Sequence, residues 1–207
     1  MKIPAILVVV GVLSLAGCAT APPQALQFVA APATTLAPPP PDKAQIVFVM
    51  PKNLFVDSAV VGLYDVRGND RTLMAMVPSH GKTVQLVAPG RHRFMTNFGA
   101  AGTHIMDADV AAGKRYYVLM RFIYGQGFQL RPIRAAGPSD YSAQNKDFPT
   151  WLSSTRFVEK SAEADTWYAA NKVRVDASQA ASLAVWNKKT PQQQAELTLN
   201  AGDAIAE

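Results

Sequence analysis

The chain of 207 residues holds a single cysteine, Cys18, so no disulfide can form within it and its stability must come from a packed core. Histidine is almost as scarce. His80, His92 and His104 are the only three, their spacing matches no recognised ligand pattern, and Asp107 and Asp109 are the only carboxylates close to them in sequence. A zinc site needs three or four ligands with supporting hydrogen bonds, so metal binding is not expected. There is no Gly-x-Ser-x-Gly elbow, and no pair of carboxylates stands out for glycoside hydrolysis. The run Gly99-Ala100-Ala101-Gly102-Thr103 lacks the lysine of a phosphate-binding loop and falls between strands, which makes it a flexible connection. No catalytic residues and no cofactor are therefore expected, and the chain reads as non-enzymatic. Charged residues make up only 17% of it, with a net charge of +5 that is scattered along the sequence. Nucleic acid is excluded as a partner on that ground, because such binding needs clustered cations. Finally, no apolar run reaches the roughly 20 residues that a membrane-spanning helix requires.

What is present begins with Met1-Lys2 and an uncharged, largely apolar stretch from Ile3 to Leu15, followed by Leu15-Ala16-Gly17-Cys18. A basic start, a short apolar centre and small residues at the end are the layout of a secretory signal over residues 1–17. The Leu-Ala-Gly-Cys phrase resembles the lipobox of bacterial lipoproteins. That resemblance implies transfer of a diacylglyceryl group to the Cys18 sulfur, cleavage between Gly17 and Cys18, and acylation of the new amino terminus, with palmitate a typical chain. Small side chains at Ala16 and Gly17 leave the backbone and thiol accessible to the processing enzymes. Several acyl chains, at about 0.8 kcal/mol per buried CH₂, hold far more firmly than one. A thioether at Cys18 also removes the only thiol nucleophile. Ala19 rather than Asp after the cysteine resembles the sorting pattern of diderm lipoproteins destined for the outer membrane, facing the periplasm.

Residues 18–41 are rich in Ala, Pro, Thr and Gln and end in Pro38-Pro39-Pro40-Pro41, a composition that favours polyproline II over a core. They read as a tether. About 23 residues at roughly 3.1 Å each would span about 70 Å when fully extended. The patch Leu26-Gln27-Phe28-Val29 is a small sticky spot within it.

Over residues 42–137 short β-type runs alternate with turn residues, the pattern of a mainly β chain folded as an antiparallel sandwich of about seven to eight strands. Strands are expected at Gln45 to Met50, Val60 to Val66, Thr72 to Val77, Thr83 to Val87, His92 to Phe98, His104 to Val110, Arg115 to Tyr124 and Phe128 to Ile133. Gly68-Asn69-Asp70, Pro89-Gly90, Gly113 and Gly125-Gln126-Gly127 supply the turns between them. Both alternating sets of Arg115 to Tyr124 are largely apolar, which requires a strand covered on both faces. The region after Pro138 is the available cover.

That region, residues 138–207, is read as an α-helical extension. Ser161 to Asn171 and Ala177 to Trp186 are expected helices, and Thr190-Pro191-Gln192-Gln193 has the form of a capped helix start. Leu197-Thr198-Leu199 fits a strand as well as a helix end. All three tryptophans, Trp151, Trp167 and Trp186, lie here beside Tyr168. They suit either core anchors for a docked helix or a stacking platform for cell-wall sugars, and the first weighs more because a packed Trp buries so much area.

Lys43-Ala44-Gln45-Ile46-Val47-Phe48, Ala88-Pro89-Gly90-Arg91-His92-Arg93-Phe94 and Ala112-Gly113-Lys114-Arg115-Tyr116-Tyr117-Val118 together resemble an uncharacterised family of bacterial lipoproteins with a PEGA-like β-sandwich domain. The resemblance covers roughly Lys43 to Ile133 and implies a fold, with no catalytic residues. The expected function is a lipid-held binding or structural module for an envelope protein. A peptidoglycan-binding module using Trp151, Trp167, Tyr168 and Trp186 is the alternative, and a hydrolase with an unseen site a weaker third.

Overall fold

The structure is a computed structural model that describes residues 29–30, 36–53, 55–99 and 102–206. Gly17 and Cys18 lie outside the described residues, as does the patch Leu26-Gln27-Phe28. Twelve strands and three helices follow in chain order: β1 (Val29–Ala30), β2 (Ala44–Met50), β3 (Val60–Arg67), β4 (Asp70–Pro78), β5 (Gly81–Val87), β6 (Gly90–Asn97), β7 (Thr103–Val110), β8 (Arg115–Ile123), β9 (Gly127–Pro132), α1 (Phe148–Ser153), β10 (Arg156–Phe157), β11 (Glu159–Lys160), α2 (Ala162–Asn187), α3 (Pro191–Glu196) and β12 (Thr198–Leu199). A turn of 3-10 helix at Ala201–Asp203 closes the chain. The fold is mainly β with a helical C-terminal region, and all eight strands expected from the sequence are present, no end moved by more than two residues.

Two open five-stranded sheets lie face to face, one in the order β10-β5-β2-β8-β9 and the other β12-β7-β6-β3-β4. The chain passes between them after β2, β4, β5 and β7, while β3–β4, β6–β7 and β8–β9 are hairpins within one layer. Between the layers pack Ile46, Phe48, Tyr116, Val118, Met120 and Leu130 from one sheet against Val61, Leu63, Val77, Phe94, Met106 and Val110 from the other. Phe48 meets Phe94 edge to face at 5.4 Å. A buried polar contact also joins the layers: Thr96, wholly buried, donates from Oγ1 to the Phe128 carbonyl at 2.5 Å. Most pairs are antiparallel, but β2 and β8 run parallel at the centre of their sheet. Parallel neighbours need both faces covered. Every residue of β2 is buried, and the alternating sets of β8 divide between two cores: Tyr116, Val118 and Met120 inward, Tyr117 and Leu119 outward.

The cover comes from the C-terminal region, which serves both sheets. Phe148, Trp151 and Leu152 of α1 lie with Val47, Val49, Tyr117 and Leu119 on the outer face of the first sheet. On the second, Ala164, Val175 and Trp186 of α2 pack with Tyr64, Leu73, Met95 and Ile105. The same region adds edge strands, β10 beside β5 and β12 beside β7, both parallel.

In place of the two helices expected over Ser161 to Asn171 and Ala177 to Trp186 there is one, α2, running unbroken through Lys172-Val173-Arg174-Val175-Asp176. β-Branched residues lower helix propensity there, but tertiary contacts override it. Val175 is buried against the sheet, and Asp176 pairs with Arg71 at 2.7 Å and with Lys172, one turn back, at 3.0 Å. α3 starts with the anticipated capping box, in which Gln193 N donates to Thr190 Oγ1 while Thr190 N donates to Gln193 Oε1. Leu197-Thr198-Leu199 resolves as strand at its last two residues.

Residues 29–30 and 36–41 also lie against the body. β1 pairs antiparallel with β11, Val29 packs on two of the three cores, and Leu36 packs on the third. The Ala37 carbonyl accepts from Gln45 Nε2 at 3.2 Å and from Arg115 Nη2 at 2.5 Å. Gln45 and Arg115 are themselves only 3% and 2% exposed.

Candidate functional site

An open groove occupies the end of the sandwich formed by the β3–β4 and β5–β6 turns, with β7 and β12 along its side. It encloses about 840 Å³. Charge of both signs lines it: Asp65, Arg67, Arg91, His92, Arg93, Asp107 and Asp109. Strand alternation sorts these side chains. Asp65 and His92 continue the inward sets that hold Leu63 and Phe94, while Arg91, Arg93, Asp107 and Asp109 stand on the outer face.

The inward set forms an array that responds to protons. The His92 ring stacks on Phe94 at 5.7 Å, and its Nε2–H donates to the Ala88 carbonyl at 2.8 Å, which turns Nδ1 toward Asp65 Oδ1 at 3.9 Å. Arg67 donates from Nε and Nη2 to Asp65 Oδ2, both at 3.1 Å. Burial alone pushes the Asp65 carboxyl up, yet His92 and Arg67 outweigh it and hold the group below the ordinary carboxylate range. The Asp65 carboxylate in turn raises His92 above its ordinary value, against partial burial and with help from the Ala88 carbonyl. His92 and Asp65 side chains are nearly closed off, at 6% and 11% exposed.

The outward set faces solvent. Arg93 grips Asp107 with two bonds of 2.6 and 2.8 Å, and its guanidinium lies 5.8 Å from the Trp186 ring. Arg91 and Asp109 are cross-strand partners and exposed. Ion pairs and hydrogen bonds to a ligand are what this arrangement can supply.

The histidines do not converge. His80 Nε2 reaches Asp57 Oδ1 at 3.0 Å at the far end of the sandwich, and His104 Nε2 donates to the Gln126 carbonyl at 2.9 Å. Among the described residues no three His, Asp or Glu side chains gather closely enough to hold a metal ion, and no helix is long and apolar enough to cross a membrane.

The four aromatic residues singled out for stacking are divided by the sandwich. Trp167, Tyr168 and Trp186 belong to the core beneath α2, with Trp186 only 4% exposed, so they form no platform with Trp151 on the opposite side. Tyr168 also donates to the Arg71 carbonyl at 3.2 Å. Trp151 meets Phe148 edge to face at 6.4 Å and lines another groove, of about 650 Å³, beside Asp140, Gln144, Lys146 and Asp147. Sequence reasoning missed the first groove, although the charge-dense Arg91-His92-Arg93 and Asp107-Ala108-Asp109 runs were visible. Their pairing across β6 and β7 was the missing step.

No protein-family model matches the chain, and no curated protein matches it.

Proposed function

We propose that this protein is a lipid-anchored lipoprotein of the bacterial cell envelope, held at the outer membrane by Cys18, whose folded body is a non-enzymatic binding module for an envelope protein. The phrase Leu15-Ala16-Gly17-Cys18 carries the anchor part, supported by the resemblance to lipoproteins with PEGA-like domains. For the binding part the observation that counts is the groove at the β3–β4 and β5–β6 turns. It is open and mixed in charge, with Arg67 76% exposed and Arg91 and Asp109 facing solvent, and such a surface complements a mixed-charge protein surface. The groups able to move protons, His92 and Asp65, are turned inward and held by each other, Ala88 and Arg67, which suits binding better than catalysis.

Two experiments test this reading. Cys18→Ala should abolish lipid labelling and release the protein from the membrane, and firm retention without lipid would defeat the anchor. A photocrosslinker at Arg91 should capture an envelope protein in intact cells, and Asp109→Arg should weaken that capture. No adduct from this position, with adducts from distant control positions, would exclude the groove as the binding surface.

A second reading is favoured by Trp151, whose ring borders a groove supplied with amide, carboxylate and ammonium groups, a set able to engage sugars or their attached peptides. If peptidoglycan is the ligand, Trp151→Ala should reduce co-sedimentation at high salt with the fold intact. Trp186→Ala should instead cost about 3–5 kcal/mol of stability, as expected for a buried Trp.

A further inference from the structure

We infer that residues 29–30 and 36–41, tether by composition, form a strap belonging to the folded body, and that the strap turns one particular side of the protein toward the bilayer. The orientation depends on the lipid anchor proposed above; the strap itself does not. Its contacts are specific. β1 closes a two-stranded sheet with β11, Val29 and Leu36 between them touch all three cores, and the Ala37 carbonyl receives bonds from two buried side chains, Gln45 and Arg115. Such charge-assisted bonds to a buried guanidinium are among the stronger ones available.

Two consequences follow for geometry. With the chain pinned at Val29 and Ala30, only about ten residues remain between Cys18 and the body, a reach of about 31 Å in place of about 70 Å. The body is therefore held at the membrane surface. The chain also joins the body beside Lys160 of β11 and the first turn of α2, where Glu163 and Asp165 lie. This is the side of β4 and β5, whereas β9 and β12 are the opposite edges of their sheets, with Arg131 of β9 tied to Glu196 of α3 at 3.3 Å. The β11 and α2 start then faces the lipid headgroups, and α3, β9 and β12 face away, toward a partner approaching from the periplasm.

Because Cys18 is the only cysteine and is consumed by lipid, an introduced cysteine is a unique labelling site. Full-length protein would be labelled with a donor dye at Glu163→Cys or at Gln192→Cys and placed in phosphatidylethanolamine–phosphatidylglycerol vesicles bearing a lipid acceptor. Position 163 should give at least about twofold more energy transfer than position 192, given the short reach. The double variant Val29→Asp with Leu36→Asp should erase that difference while circular dichroism and cooperative melting persist. Equal transfer from the two positions in the parent protein would overturn the orientation. Hydrogen exchange reads the strap independently: slow exchange at Val29 and Ala30 is expected, and exchange as fast as in an unfolded peptide would overturn it. Mass spectrometry of the N-terminal peptide separates the two ideas, since slow exchange with no lipid on Cys18 would sink the anchor and the orientation but leave the strap.

Discussion

Arg134 shows how much a single side chain can organise at the C-terminus. Its guanidinium donates to the carbonyls of Ala195 and Glu196 at the end of α3, at 3.0 and 3.1 Å, to the Thr198 carbonyl at 2.8 Å and to Asp203 Oδ2 at 2.6 Å. It thus satisfies orphan carbonyls at a helix end and fixes β12 beside β7. Arg134→Met should lower unfolding free energy by about 2–4 kcal/mol in urea titration. Arg134→Lys should recover only part of that, because an ammonium lacks the planar fork. The histidines give a second prediction at this scale, with opposite signs. His92 is raised by Asp65, so its contribution is fully present below about pH 6.5 and is lost as pH rises through its folded value. Burial lowers His104, despite its bond to the Gln126 carbonyl and with Lys189 and Arg121 nearby, so its contribution is present above about pH 6.5 and is lost as pH falls through that region. Stability measured at about pH 5, 6.5 and 8 should therefore lose part of its alkaline decline in His92→Gln and part of its acid decline in His104→Gln. Identical pH profiles for parent and both variants would contradict these assignments. Asp65 belongs to a lower window, its contribution present above about pH 3.8 and lost as pH falls through its depressed folded value.

At the scale of elements, α2 rests on its sheet through contacts that are only partly satisfied. Tyr64 is wholly buried beneath it, its hydroxyl has no hydrogen-bond partner among the described residues, and burial pushes the phenol pKa well up. Gly62 leaves room for that ring: a Cβ there would come within 2.7 Å of Tyr64 Oη. A buried polar atom without a partner costs about 1–3 kcal/mol, so Tyr64→Phe should stabilise the protein by about 1 kcal/mol or more in thermal or urea unfolding. A loss of stability instead would mean the hydroxyl has a partner, such as a buried water. The same helix was legible only in halves from sequence. Local propensity dips at Val173 and Val175, and the ion pair that bridges the dip, Asp176 with Arg71, joins residues far apart in the chain.

For the whole molecule, the three cores are continuous through the strands they share, and the strap touches all of them through Val29 and Leu36. A chain beginning at Asp42 would lose the Ala37 carbonyl that two buried side chains use. It should be less stable than one retaining residues 19–41 by about 2 kcal/mol, or roughly 4–8 °C in Tm. Equal melting temperatures would show the strap to be dispensable.

Alternation of apolar and polar residues, punctuated by Gly and Pro-Gly, was enough to locate all eight long strands and the capped start of α3, because strand pleat and capping chemistry are local. The doubly apolar β8 likewise announced that both its faces are covered. Pairing was not local. That β2 and β8 run parallel, that Arg91 meets Asp109, and that Trp151 stands apart from Trp167, Tyr168 and Trp186 depend on which strands become neighbours. The two-residue strands β1, β10, β11 and β12 are too short to carry a period; β10 and β12 exist because a sheet edge offers them free backbone groups, and β1 and β11 because they pair with each other. A proline-rich segment reads as tether by composition, and only the buried Arg115 and Gln45 beneath it decide that its last part is held to the fold.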